Sequence, residues 1–390
     1  MPLHRRPLVP SGFAAFVFAL TLLAAQPPLP VARQGYVFAG GKYSNVNGKQ
    51  VMSGQLYAEF QVPLKQTHPW PIIMVHGAGQ TGTNFTGTPD GREGWAQFFL
   101  RQGYAVYVVD QPGRGRAPYQ ADLYGPTTQF SLDNALRFFI APERYNLWPQ
   151  AHLHTQWPGQ AQPGEAIFDQ FYASQVPYIR DALLTQELNR DALIALLEKT
   201  GPAILLTHSQ SGAYGWPVAD ARPDQVKAVV AVEPSGPPFY DLETGASSTV
   251  KDPDWSRYRE GLSRPYGLAA VPLVYSPAIS QPSDLAIEQQ SQPDAPDLDR
   301  CWLQKSPARQ LPHLAKVPIL ILTSEASYHA TYDYCTAKYL QQAGVPAAWT
   351  KLGDVGVHGN GHMMMLEKNS DQVAGVIAGW LDRVGGPSKK

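Results

Sequence analysis

The sequence predicts an α/β protein with a mainly parallel sheet and helices on both faces. Three observations carry this. Short apolar runs recur at residues 71–75, 105–109, 203–206, 226–232 and 317–322. Runs of that length without polar alternation fit strands covered on both faces. Helix-like segments stand between most of them, the rhythm of strand–helix–strand units. Several runs then break into small or polar turns, so their ends are sharp.

The first 25 residues read as a leader. His4, Arg5 and Arg6 precede an apolar run at residues 12–25, which is too short for an ordinary membrane span. Cleavage is expected after Ala25, or as late as about residue 32, with an uncleaved anchor as the alternative. Residues 35–390 then form one domain. Residues 55–62 alternate apolar and polar, as in a half-exposed antiparallel strand. The run at 71–75 ends in His76-Gly77-Ala78-Gly79-Gln80-Thr81-Gly82, and a helix is predicted over 94–101. The run at 105–109 ends in the glycine-containing turn 110–116.

Residues 117–163 break the rhythm with prolines, glutamines and aromatics around one helical stretch at 132–140. Two helices follow. In the second, Ala192, Leu193, Leu196 and Leu197 share a face, and Gly201-Pro202 stops it. A second insertion, 237–316, is rich in Pro, Ser, Asp and Gln, with one apolar patch at 271–275. A helix near 332–342, a strand near 347–352 and a last helix with an apolar stripe from Val373 to Val384 complete the chain. The two insertions are expected to form a cap. Cys301 and Cys335 form one disulfide in an oxidising compartment or remain two buried thiols. A net charge of -1 gives no sign of a nucleic-acid partner.

The stretch that carries chemistry follows the run at 203–206. Thr207-His208-Ser209-Gln210-Ser211-Gly212 is small and polar, and a helix continues from it to about Asp220. A serine at the apex of a strand–turn–helix is the layout of a nucleophile elbow. From these residues the chain resembles an α/β-hydrolase over about residues 55–384. The elbow is similar to the family's Gly-His-Ser-Met-Gly-Gly form, with Thr207 and Ser211 in place of two glycines. Ser209 is the expected nucleophile. Ser211 is the rival, but it would sit inside the first turn of the helix.

The resemblance implies the other partners. Asn360-Gly361-His362, with Glu367 five residues on, is similar to the family's Gly-His…Glu motif and makes His362 the base. His358 is its competitor and otherwise a loop or pocket residue. The family's acid usually follows the run at 317–322, where this chain reads Thr323-Ser324-Glu325. Glu233, at the end of the preceding run, is preferred over Glu325 and Asp333. In this the chain most resembles a small group of bacterial esterases with a Ser-Gln-Ser elbow. The oxyanion donors implied are the backbone N–H groups of Gln210 and Ala78, the latter in a loop similar to the family's His-Gly loop. His76 is then a turn former, and Gln80 reaches the pocket.

Trp148, Trp157 and Tyr119 are candidates to roof the pocket. The turn at 110–116 resembles a structural turn of the family, with Arg114 or Arg116 salt-bridging the cap. His152 and His154 stand two apart, as metal ligands can, but no third ligand is evident and no metal is expected. The expectation is an exported serine esterase that needs no cofactor and acts on a small ester, with activity rising near pH 6–7. It has no membrane span after processing, and homodimerisation is left open. The same residues also suit an amidase, a thioesterase or a C–C hydrolase, and a non-catalytic binding relative is the reading from another class.

Overall fold

The computed structural model describes residues 27–245 and 256–385, so the predicted leader at 1–25 lies outside the described residues. Eight strands make one sheet: β1 Val31–Val46, β2 Lys49–Pro63, β3 Ile72–Val75, β4 Val106–Asp110, β5 Ala203–His208, β6 Val226–Val232, β7 Ile319–Thr323 and β8 Ala347–Lys351. Their spatial order is β1-β2-β4-β3-β5-β6-β7-β8. β2 runs antiparallel to β1 and β4, and all pairs from β4 to β8 are parallel. The fold class read from the apolar runs is the one observed.

The runs work because successive side chains alternate between two covering layers. Ile72 and Met74 of β3 pack with α1 (Trp95–Arg101) and the C-terminal helix, Ser370–Val384, through Trp95, Phe99, Ile377 and Leu381. Ile73 and Val75 face the other side. There they join Leu193 and Leu197, Trp216 and Tyr339. Those residues lie on Ala182–Thr200, Gly212–Ala221 and Asp333–Gln342, numbered α3, α4 and α5 after α2, Ala166–Ala173; the C-terminal helix is α6. Asp181 caps α3 by accepting the Leu184 N–H at 3.0 Å, and Gly201 ends it.

The β1–β2 hairpin was not anticipated beyond residues 55–62. Its first strand is mostly exposed and interrupted by Gly40 and Gly41, so it shows neither an apolar run nor clean alternation. Gly40 has φ +71°, and a Cβ there would stand 2.8 Å from the Ala192 backbone of α3. The hairpin therefore lies directly on that helix.

Cys301 and Cys335 are joined, with their Cα atoms 5.2 Å apart. The bond ties the second insertion to α5. Among the described residues no helix is long and apolar enough to cross a membrane.

Candidate active site

β5 delivers the chain to Ser209, which takes φ +55°, and a short 3-10 turn over Ser209–Ser211 leads into α4. Crowding explains the residues around it. A Cβ on Gly212 would collide with Pro234, and a Cβ on Gly215 would stand 3.2 Å from Thr207 Cγ2. The two serines have different environments. Ser211 is fully buried; its Oγ accepts the His208 N–H at 2.8 Å and lies 2.7 Å from the Val75 carbonyl, to which it donates. It is a strut of the turn. Ser209 is half-buried and lines a cleft of about 410 Å³.

His362 and Glu233 meet across the ends of β6 and β7. His362 Nδ1 donates to Glu233 Oε2 at 2.5 Å, and both side chains are buried. Glu233 turns out of β6 with φ +43°. Its carboxylate also accepts from Ser327 Oγ at 2.7 Å, the Ser324 N–H at 2.9 Å and the Ser324 hydroxyl. Ser324, which stands where the family usually has its acid, thus holds the Glu233 carboxylate. The Ser235 N–H donates to the Ser209 carbonyl at 2.8 Å and so ties the acid's turn to the elbow. The far nitrogen of His362 faces Tyr328, whose hydroxyl lies 3.4 Å from Nε2 and whose ring lines the cleft beside Ser209. Burial, and then the neighbouring His329, hold the His362 imidazole well below its usual range. It is therefore neutral at pH 7, and the acid limb expected near pH 6–7 moves lower.

The rival acids are engaged elsewhere. Glu325 accepts from His358 Nδ1 at 3.0 Å and from the Gly359 N–H at 2.9 Å. Asp333 binds His329 Nδ1 at 2.8 Å and Thr323 Oγ1 at 2.8 Å. The His329 ring lies parallel to that of His362, with centroids 4.9 Å apart, and its Nε2 is 3.0 Å from the Tyr332 hydroxyl. Glu233, His329 and His362 offer ligand atoms within 4.8 Å of one another. The two Nδ1 atoms are already turned to carboxylates and His329 Nε2 to Tyr332, so these atoms are committed to hydrogen bonds rather than held open for a metal.

Opposite the elbow, β3 runs into the loop carrying Gly77 and Ala78. A Cβ on Gly77 would stand 3.0 Å from Ser209 Cβ, so the loop passes directly over the serine. Among the described residues the N–H groups of Ala78 and Gln210 take no partner within the protein. His76 is buried, with Nδ1 2.9 Å from the Gly77 carbonyl. Burial, and then the charge of Arg114, push its pKa down to about 3, so it serves the turn as a neutral ring. Arg114 or Arg116 was expected to bridge to the cap. Instead Arg116 binds Asp110 at 2.7 Å and Glu59 at 2.5 Å within the sheet. Arg114 donates to the Gly77 carbonyl at 2.7 Å and to Gln210 Oε1 at 2.5 Å.

The cleft is walled by Phe130, Phe138, Tyr178, Tyr328 and Tyr332, with Asp241 and Arg259 on its polar side. Five side chains expected in the pocket stand elsewhere. Gln80 is buried, accepts from Asn84 and reaches the Met363 sulfur at 3.2 Å. His358 is exposed and paired with Glu325. Trp148 lies one layer behind the cleft, stacked on Phe138, with its N–H on the Ala326 carbonyl at 3.1 Å. Trp157 packs on Phe171 in the core. Tyr119 is exposed, its hydroxyl on the Gly125 carbonyl. Large aromatic and amide side chains in a cysteine-poor insertion read alike whether they line a cleft or pack behind it.

His152 and His154 separate because the chain makes a 3-10 turn at Ala151–Leu153 rather than extending. His152 is exposed, whereas His154 is buried between Glu143 and Glu367, 2.8 Å from each. Burial opposes its charge, but the two carboxylates prevail and raise its pKa to about 9. Glu367 also accepts from the Gly361 N–H at 3.0 Å. The first insertion is thereby pinned to the loop that carries His362. Sequence reading missed this role, and missed Tyr328 and Arg114, because each depends on a partner more than thirty residues away.

A sheet of this order, with a serine at a sharp strand-to-helix turn after β5, defines the class: an α/β hydrolase. The chain belongs to the alpha/beta hydrolase family, whose model matches residues 72–376. It is 43% identical over 360 residues to the probable secreted lipase phiG of Fungal sp. (strain ATCC 74256), covering 89% of this chain and 89% of that one. Among solved structures, a novel bacterial esterase aligns over 93% of this chain and 98% of its own at 23% identity, with a TM-score of 0.60. That likeness is one of fold.

Proposed function

We propose that the protein is an exported serine esterase acting on a carboxylic ester through Ser209, His362 and Glu233. Ser209 Oγ attacks the ester carbonyl as its proton passes to His362 Nε2. The N–H groups of Ala78 and Gln210 receive the oxyanion, and the leaving alcohol takes the proton from His362. Water, deprotonated by His362, then cleaves the acyl-enzyme and frees Ser209. Glu233 keeps the Nδ1 proton in place and balances the imidazolium.

The observation that carries this reading is the buried 2.5 Å contact between Glu233 and His362, whose far nitrogen stands 3.4 Å from the hydroxyl of Tyr328, a wall of the Ser209 cleft. The relative named a secreted lipase supports the ester class and export. The leader-like residues 1–25 and the Cys301–Cys335 bond, which suits an oxidising compartment, support export as well. Insertions 117–163 and 237–316, which supply Phe130, Phe138, Asp241 and Arg259 to the cleft, act as the cap that selects the substrate.

The test is a fluorophosphonate label located by mass spectrometry, beside turnover of p-nitrophenyl esters from acetate to palmitate. The adduct is expected on Ser209, with turnover abolished in Ser209→Ala. An unlabelled Ser209 together with undiminished turnover in that variant would refute the mechanism.

A further inference from the structure

Arg114 is 3% exposed and stands in no ion pair among the described residues. Burying a guanidinium without a carboxylate partner costs several kcal/mol by general estimates, about as much as a small domain's margin of stability. Its surroundings are the Gly77 carbonyl at 2.7 Å, the Gln210 side-chain oxygen at 2.5 Å and the Tyr178 ring, whose centroid is 5.0 Å from the guanidinium carbon. Burial works against its charge, with Tyr214 and Tyr178 the titratable neighbours that oppose that shift. Both polar contacts point towards one chemistry. The Gly77 carbonyl belongs to the same peptide unit as the Ala78 N–H. In a planar trans peptide the two point in opposite directions. A cation on the carbonyl therefore fixes the direction of that N–H and polarises it. Gln210 is the residue whose own N–H is the second donor, and Arg114 holds it by the side chain.

We propose that Arg114 is a positioning residue of the oxyanion hole. One guanidinium clamps the Gly77–Ala78 peptide and Gln210 together, and its unpaired charge is answered only when the oxyanion forms. This rests on the esterase reading above. A donor array fixed before reaction, in a site short of water, stabilises developing charge without reorganising.

The test compares Arg114→Met, Arg114→Lys and Gln210→Ala with the wild type. The measurements are kcat per serine titrated with fluorophosphonate, KM, and the affinity of an alkyl boronic acid, which forms an anionic tetrahedral adduct. Removing one fixed donor typically costs about 10²-fold. Arg114→Met should lose about that in kcat and in boronate affinity, with KM changed by less than about threefold. Arg114→Lys, with charge but one arm, should fall between. Gln210→Ala, at a half-buried position that folds more readily, should lose roughly tenfold in both. A folded Arg114→Met or Gln210→Ala with kcat per titrated serine and boronate affinity within about twofold of wild type would overturn the proposal, even with a lowered Tm. If instead wild-type Ser209 takes no label and Ser209→Ala keeps its turnover, the esterase reading has failed rather than the clamp alone.

Discussion

Two carboxylate–imidazole pairs lie face to face in this molecule, and the second nitrogen of each ring faces a tyrosine of the cleft wall. Glu233–His362 and Asp333–His329 are both buried, both joined through Nδ1, and their rings are parallel. They differ in what the other nitrogen meets. His362 Nε2 stands 3.4 Å from the Tyr328 hydroxyl, a loose contact, whereas His329 Nε2 is held at 3.0 Å by the Tyr332 hydroxyl. His154 completes the series, with a carboxylate on each nitrogen. A carboxylate beside a histidine therefore does not by itself mark a base. What the second nitrogen meets sets the three apart: a loose hydroxyl, a close one, or a second carboxylate.

The comparison can be broken most directly at the acids. Glu233→Gln should lower kcat by about 10³–10⁴-fold, the scale for an imidazole left in the wrong tautomer. Asp333→Asn should keep kcat within about tenfold and act mainly on Tm. Equal losses in steady-state assays of the two variants would erase the distinction drawn here. Next comes the support of the acid. Ser324→Ala removes the hydroxyl's hydrogen bond to Glu233 and leaves that of the backbone N–H, so a loss of about tenfold in kcat is expected.

The stacked ring should appear in the pH profile. The acid limb of kcat/KM is expected below pH 6.5, because burial and His329 disfavour the His362 imidazolium. His329→Phe keeps the stack and removes the charge, so the limb should move up. An unmoved limb would show that the two rings do not communicate. The smallest effect on turnover belongs to His154→Gln, which should leave kcat per folded molecule near wild type while lowering Tm. Its folded pKa, about 9, lies above the ordinary 6.5. The stabilisation is therefore complete below pH 6.5 and is lost as pH rises through about 9. Wild-type Tm should fall across that window more steeply than in the variant.

Much of the frame was legible in the chain. Apolar runs gave β3 to β7 because those strands are covered on both faces, and the serine turn and the Gly-His motif stand next to recognisable elements. The pairing of Glu233 with His362 could be expected because Glu233 ends a buried strand with no obvious packing role and matches the resemblance to esterases with a Ser-Gln-Ser elbow. What escaped depends on distance. Nothing near Arg114 in sequence announces Gly77 and Gln210, and nothing near Trp148 says that Phe138 and Tyr328 stand between it and the cleft. β1 escaped for another reason: an edge hairpin resting on α3 needs neither an apolar run nor regular alternation.

Ser209 and Glu233 both hold left-handed backbone, at φ +55° and +43°, without being glycine. Each such residue costs roughly 1–3 kcal/mol. For laboratory evolution the consequence is concrete. A screen for heat tolerance alone would favour glycine at position 209, losing the proposed nucleophile, whereas glycine at 233 would strand the donors that its carboxylate now satisfies. A campaign to harden this enzyme should hold positions 209 and 233 fixed and look for gains in the exposed β1–β2 hairpin.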